Sequence, residues 1–189
     1  MRNLPFPSST LSLGAAGLLL LSGCALPPPK DFDPAAFPGP KGTLLVSTDY
    51  PGVLVVTMEK TGERYRLRGG KEGFPAPAGR LRVDEVKFLA RDGKGRRWIV
   101  AADLLEQKRA PSVDLPPGGS KRLNLGFPLT GKVVAYRKGA HYYTFDPRLL
   151  GRGGESYYLD CLDERLGFPG YRIFTASGKI LKEDLFTYG

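Results

Sequence analysis

Histidine, tryptophan and cysteine are nearly missing from these 189 residues, which hold one His, one Trp and two Cys. A single histidine leaves room for few acid–base schemes. Two cysteines allow neither a disulfide framework nor a C-x-x-C metal site. Helical periodicity is almost absent as well: only Ala102 to Arg109 suits a turn or two of helix, and that length is marginal alone. No apolar run reaches the roughly 20 residues that a membrane-spanning helix needs. Acidic residues are the scarcer charge, 19 against 28 Lys and Arg, for a net charge of +9.

What is present begins with Arg2 and the apolar stretch Leu11 to Leu21, broken by Ser12, Gly14, Ala15, Ala16 and Gly17. A short basic region before a brief apolar stretch is the outline of a secretory signal that is removed. The next residues, Leu21-Ser22-Gly23-Cys24, resemble the lipobox of bacterial lipoproteins. That resemblance implies a signal peptide over 1–23, cleavage before Cys24, a diacylglycerol on its thiol and acylation of its amino group. Two or three chains are needed, because each buried methylene contributes about 0.8 kcal/mol and one chain binds only marginally. Ala25, in place of an aspartate, is similar to lipoproteins sent to the outer membrane. The expectation is therefore a lipid-anchored envelope protein facing the periplasm or the exterior.

Residues 24–41 carry Pro27-Pro28-Pro29 and three more prolines, a composition that reads as a semi-rigid, polyproline-like tether. The folded part is then expected from about Lys41. Its charge is uneven: Lys60 to Lys138 holds 19 basic and 8 acidic residues, while Gly139 to Gly189 holds 6 and 7. A basic middle on a tethered protein suits anionic headgroups or an acidic polysaccharide. The plainer reading of the same charges is that they keep sheet surfaces soluble. Nucleic acid is disfavoured as a ligand by export.

Gly and Pro punctuate the folded region every eight to twelve residues, and the intervals are rich in Val, Leu, Tyr, Phe and Thr. This spacing predicts an all-β protein. Strands are expected at 43–48, 53–59, 63–68, 80–90, 97–102, 121–125, 132–137, 141–145, 156–160, 171–175, 179–181 and 185–188. Turn chemistry at Asp49-Tyr50-Pro51-Gly52, Lys60-Thr61-Gly62, Asp92-Gly93-Lys94-Gly95, Lys138-Gly139-Ala140 and Ser177-Gly178 makes neighbouring strands antiparallel. In Arg80-Leu81-Arg82-Val83-Asp84 the apolar residues share one face and the charged residues the other. The pattern predicts an antiparallel β-sandwich. The break at Leu115-Pro116-Pro117-Gly118-Gly119-Ser120 divides it into a module over 42–116 and an Ig-like module over 117–189. Gly42 to Thr48, Pro51-Gly52-Val53 and Pro77 to Val83 resemble the PEGA and carboxypeptidase-regulatory group of sandwich modules, which implies a non-catalytic envelope role.

Gly126-Phe127-Pro128-Leu129-Thr130-Gly131-Lys132-Val133 imitates a phosphate-binding loop, but Val133 stands where a hydroxyl is needed and Pro128 removes an amide. Asp160, Asp163 and Glu164 lack the glycine and ligand spacing of a calcium loop. No metal site and no cofactor are expected. His141 lies beside no activating motif, whether paired with Cys161 or with a serine and Asp146, so no catalytic residues are assigned. Cys161 reads as a small apolar residue at a strand end, with an intermolecular disulfide as the sharper alternative.

Ligand-binding candidates are Trp98, Arg96, Arg97, Tyr143, Tyr158 and Arg152: exposed rings beside guanidinium groups suit sugars. In the adjacent pairs Tyr142-Tyr143 and Tyr157-Tyr158 one ring should enter the core while the other meets solvent. Gly151-Arg152-Gly153-Gly154-Glu155 suits either a sharp reversal or a close backbone approach. The leading expectation is a non-enzymatic interaction module that contacts another envelope protein or an anionic polymer. The alternatives are a carbohydrate-binding module and an accessory subunit of a secreted hydrolase.

Overall fold

The computed structural model describes residues 26–137, 143–164 and 170–185. Cys24, His141 and Tyr142 lie outside them, as do the turn at 138–140 and most of the strand expected at 185–188. Among the described residues the protein is all β, with no helix, and its sheets pack face to face as a β-sandwich. Of the stretch Ala102 to Arg109, the first two residues end a strand and the rest form a tight turn, closed by the amide of Arg109 on the Leu104 carbonyl at 2.9 Å.

Fourteen strands run in order: β1 Lys30–Asp31, β2 Lys41–Ser47, β3 Gly52–Met58, β4 Arg64–Gly69, β5 Phe74–Pro77, β6 Gly79–Arg91, β7 Arg97–Asp103, β8 Ser112–Leu115, β9 Ser120–Gly126, β10 Thr130–Arg137, β11 Tyr143–Leu150, β12 Ser156–Cys161, β13 Gly170–Phe174 and β14 Ile180–Leu185. The larger sheet has the order β1-β4-β3-β6-β7-β12-β11-β10, with β8 also on β6. The opposing sheet is β5-β2-β9, and β13 and β14 pair with each other as a hairpin. Leu44 and Val46 of β2 and Leu123 and Leu125 of β9 meet Leu54, Val56, Leu67, Leu81, Val83, Val86, Phe88 and Val100 of the larger sheet in one continuous core. Full burial of such a side chain contributes about 1.5–3 kcal/mol.

The pairing departs from the sequence reading in two ways. β2 and β9 are parallel, as are β1 and β4. The division at 116/117 also separates no cores, since β9 pairs with β2 and β12 with β7 across it. Pro116-Pro117-Gly118-Gly119 is a reversal fixed to β2, not a linker: the Gly118 amide donates to Lys41 at 2.7 Å, and the Thr43 amide donates to Gly119 at 3.0 Å. Of the expected second module, β9 and Tyr157 belong to the common core, whereas β10 is exposed at every position but Val134.

The proline-rich segment is likewise part of the fold, not a spacer. β1 lies along β4 with Lys30 opposite Tyr65, and the Phe32 amide donates to Arg66 at 2.9 Å. Phe32 and Phe37 stack on each other and on Tyr65 with ring centroids 5.2–6.1 Å apart. Lys41 donates to the carbonyls of Pro34 and Phe37, and the Pro27 carbonyl accepts from Arg64 at 3.0 Å. Two aromatic side chains provide the burial that proline content alone does not suggest.

Asp84 breaks the alternation expected of β6. Val55 stands opposite Glu85 and Val56 opposite Val83, so Asp84 is the extra residue of a β-bulge. Its carboxylate is fully buried, where it accepts from Thr57 at 2.6 Å, Arg82 at 2.8 Å and Arg64 at 3.2 Å.

Candidate functional site

Three of the sequence-predicted residues come together at the β6–β7 turn. Arg97 begins β7, and the turn before it is closed by the Gly95 amide on the Asp92 carbonyl at 2.9 Å. Arg96 donates to Asp92 at 2.7 Å and pairs with Glu164, while Arg97 holds Asp163 at 2.5 Å. The Arg96 guanidinium also covers the Trp98 ring at 5.6 Å, and the indole N–H donates to Asp92 at 3.2 Å. Both guanidinium groups are neutralised by carboxylates and Trp98 packs partly into the core, so this cluster is a staple between the β6–β7 turn and the segment after β12.

Burial, the largest single influence on Asp92, works to raise its pKa. Hydrogen bonds from Arg96, from Trp98 and from the amides of Lys94 and Arg96 together outweigh it and bring the carboxyl to about 2. A depressed folded-state value gives stability that is present above the ordinary aspartate range and is lost as pH falls through about 2. Trp98 is the sole tryptophan, so its emission should keep its native position on acidification until pH approaches 2, with that step absent in Asp92→Asn. A step near 4 would show that Asp92 is unperturbed.

Tyr158 is 57% exposed and Tyr157 6%, as the adjacent-pair reading expects. Cys161 stands opposite Trp98 and Tyr158 opposite Ala101. Side chains alternate between faces along a strand, so Tyr158 lies on the face away from Trp98, and the two rings form no common platform. Tyr143 pairs with Arg137 at the end of the β10–β11 hairpin. Cys161 is half-buried at the end of β12.

Arg152 lies elsewhere, beside a cleft of about 510 Å³ lined by Val46, Ser47, Thr48, Asp49, Tyr50, Lys71, Arg122, Phe127 and Pro128. The alternation that buries Leu44, Val46, Leu123 and Leu125 turns Ser47 of β2 and Arg122 of β9 outward. Lys71 is carried by a tight turn in which the Gly73 amide donates to Gly70 at 2.9 Å. A Cβ on Gly73 would meet Thr43 at 2.5 Å, and the backbone there has φ 106°, which glycine adopts without strain. Tyr50 and Phe127 form the apolar wall, their centroids 5.1 Å apart, and Phe127 rests on Phe88. Arg152 donates to the Ser47 hydroxyl at 3.1 Å. Lys71 reaches Asp49 at 3.7 Å, whereas Arg122 and Arg152 have no carboxylate partner among the described residues.

Glu155, in the loop that carries Arg152, is 1% exposed. Its Oε1 accepts from the Gly126 amide at 2.8 Å and from the Tyr157 hydroxyl at 3.0 Å. The glycines of the 151–155 loop are thereby explained: a Cβ on Gly151 would stand 2.1 Å from that oxygen, and one on Gly153 2.2 Å from the Asn124 carbonyl. The Gly126 amide, the first of the sequence that imitates a phosphate-binding loop, is thus already bonded to a carboxylate. Sequence reasoning named Arg152 but missed Arg122 and Lys71. The only signal was the basic middle of the chain, which does not say which cations lack partners.

A second hollow, of about 680 Å³, lies on one face of the β13–β14 hairpin, where Arg172 and Glu183 pair with each other at 2.8 Å. Among the described residues no three His, Cys, Asp or Glu side chains converge as metal ligands would. No protein-family model, curated protein or solved structure matches this chain.

Proposed function

We propose that this protein is a non-catalytic, lipid-anchored component of the bacterial envelope that holds an anionic envelope polysaccharide in the cleft between the ends of β2, β4 and β9. The observation that carries the reading is the charge balance of that cleft. Lys71, Arg122 and Arg152 surround or border it with Asp49 as the only carboxylate in its lining. A guanidinium binds a carboxylate or phosphate oxygen through fixed, charge-assisted hydrogen bonds. The hydroxyls of Ser47 and Thr48 and the rings of Tyr50 and Phe127 suit a sugar that carries such a group. The lipid anchor is supported by the Leu21-Ser22-Gly23-Cys24 sequence.

The test is retention on an immobilised polygalacturonate matrix. Arg122→Ala should weaken binding about tenfold, the equivalent of roughly 1.4 kcal/mol. Arg97→Ala should leave it unchanged, because Arg97 is already occupied by Asp163. Retention should also fall with salt as the Debye length shortens. Equal loss in both variants would assign binding to net charge and reject the cleft.

A further inference from the structure

The described chain ahead of β2 is tied to the sandwich along its length. Its first fixed point is the Pro27 carbonyl, held by Arg64, itself 8% exposed and bonded to buried Asp84. Contacts then follow at Lys30 with Glu63, at β1 with β4, at Phe32 and Phe37 with Tyr65, and at the Pro40 carbonyl, which accepts from Ala78 at 2.8 Å. Pro27 is three positions after Cys24, and three extended steps of chain span at most about 11 Å.

The direction of approach is also fixed. β1 runs parallel to β4, so the chain before Lys30 points toward the Arg64 end of β4. That end of the sandwich also carries the turn at 59–62, where the Gly62 amide donates to Met58 at 2.8 Å, and the start of β6 at Gly79. Lys71 and the cleft lie past the other end, at Gly69 and Ser47. Six residues of β4 place about 20 Å between the two ends.

From this we infer that the sandwich sits directly on the bilayer, with the Met58–Arg64 end against the lipid headgroups and the Arg122 cleft facing away. The inference rests on acylation of Cys24. It adds an orientation that acylation alone does not impose, since a free 18-residue spacer would let any face turn toward the membrane. A cleft held outward is positioned to take a polymer that does not belong to the anchoring membrane.

The test uses the full acylated chain in phosphatidylethanolamine and phosphatidylglycerol vesicles containing headgroup-nitroxide lipid, which quenches a fluorophore only near contact. In a Cys161→Ser background, a dye on Lys60→Cys should lose most of its emission, and one on Glu72→Cys should keep it. Twenty Gly and Ser residues inserted between Ala25 and Leu26 should relieve the quenching at position 60. Equal quenching at both positions without the insert, or stronger quenching at 72, would overturn the orientation while leaving the anchor intact. Failure of the wild type to take up an alkynyl fatty acid that Cys24→Ser also lacks would overturn both.

Discussion

Asp84→Ala should lower the unfolding free energy by about 3–5 kcal/mol, the usual cost of leaving a buried charge without its partner. Two features of the site support a value in that range. Asp84 is fully buried and accepts three hydrogen bonds, so its loss strands Thr57 and removes the acceptor of the buried Arg64. Arg64 retains only the Glu85 carboxylate at 3.4 Å, which is itself 44% exposed, and the Pro27 carbonyl. For a folded chain of this size, roughly 2–4 °C of melting temperature is lost per kcal/mol, which gives a fall of about 10 °C. Asp114→Ala is the contrasting variant: its pair with Arg80 is 3.8 Å long and its side chain 78% exposed, and exposed pairs of this kind contribute about 0–1 kcal/mol. Denaturant melts of the two variants should differ clearly in midpoint. Equal midpoints would mean that water reaches the bulge and screens the pair.

Alkali should destabilise the protein through Tyr157. Burial raises the pKa of this phenol most, and the Glu155 carboxylate raises it further, first by its charge and then by accepting the hydroxyl hydrogen bond. In the unfolded chain a tyrosine ionises near pH 10. Because the folded-state pKa is the higher of the two, the folded protein keeps a proton that the unfolded chain has released above that pH. The stabilisation is complete below pH 10 and is lost as pH rises further, at about 1.4 kcal/mol per pH unit for one proton. Between pH 10 and 12 the loss approaches about 3 kcal/mol. Urea melts across this interval should show the slope in wild type and a much shallower one in Tyr157→Phe, in which lysine deprotonation still occurs. Parallel slopes would place the ionisation elsewhere.

Local chemistry made most of the strands legible. Alternation and glycine-marked turns located β3, β4, β6, β7, β9, β10 and β12 to within a few residues. Short strands dominated by proline or bordered by it, β1, β5 and β8, were invisible, because their membership depends on partners distant in the chain and not on their own propensity. The same limit produced the false boundary at 116/117: a Pro-Pro-Gly-Gly run is the signature of a linker and of a tight reversal alike, and only the hydrogen bonds to Lys41 and Thr43 distinguish them. The tether was misread in a similar way, its prolines counted and the anchoring role of Phe32 and Phe37 overlooked.

At the site, residue type was a weak guide. Arg96, Arg97 and Trp98 have the chemistry of a sugar platform, yet carboxylates 66 or more positions away in Asp163 and Glu164 neutralise both arginines. Arg122 looks unremarkable in sequence and gains interest only because nothing described neutralises it. The buried Glu155 was passed over as part of a glycine loop, whereas those glycines exist to admit its carboxylate.

The parallel pairing of β1 with β4 has a temporal meaning. In a chain that emerges amino end first, residues 26–41 appear before Arg64–Gly69 and have nothing to dock on. Once β4 arrives, β1 gains its parallel partner and the Pro27 carbonyl its donor, so a segment that comes early in the chain is ordered late.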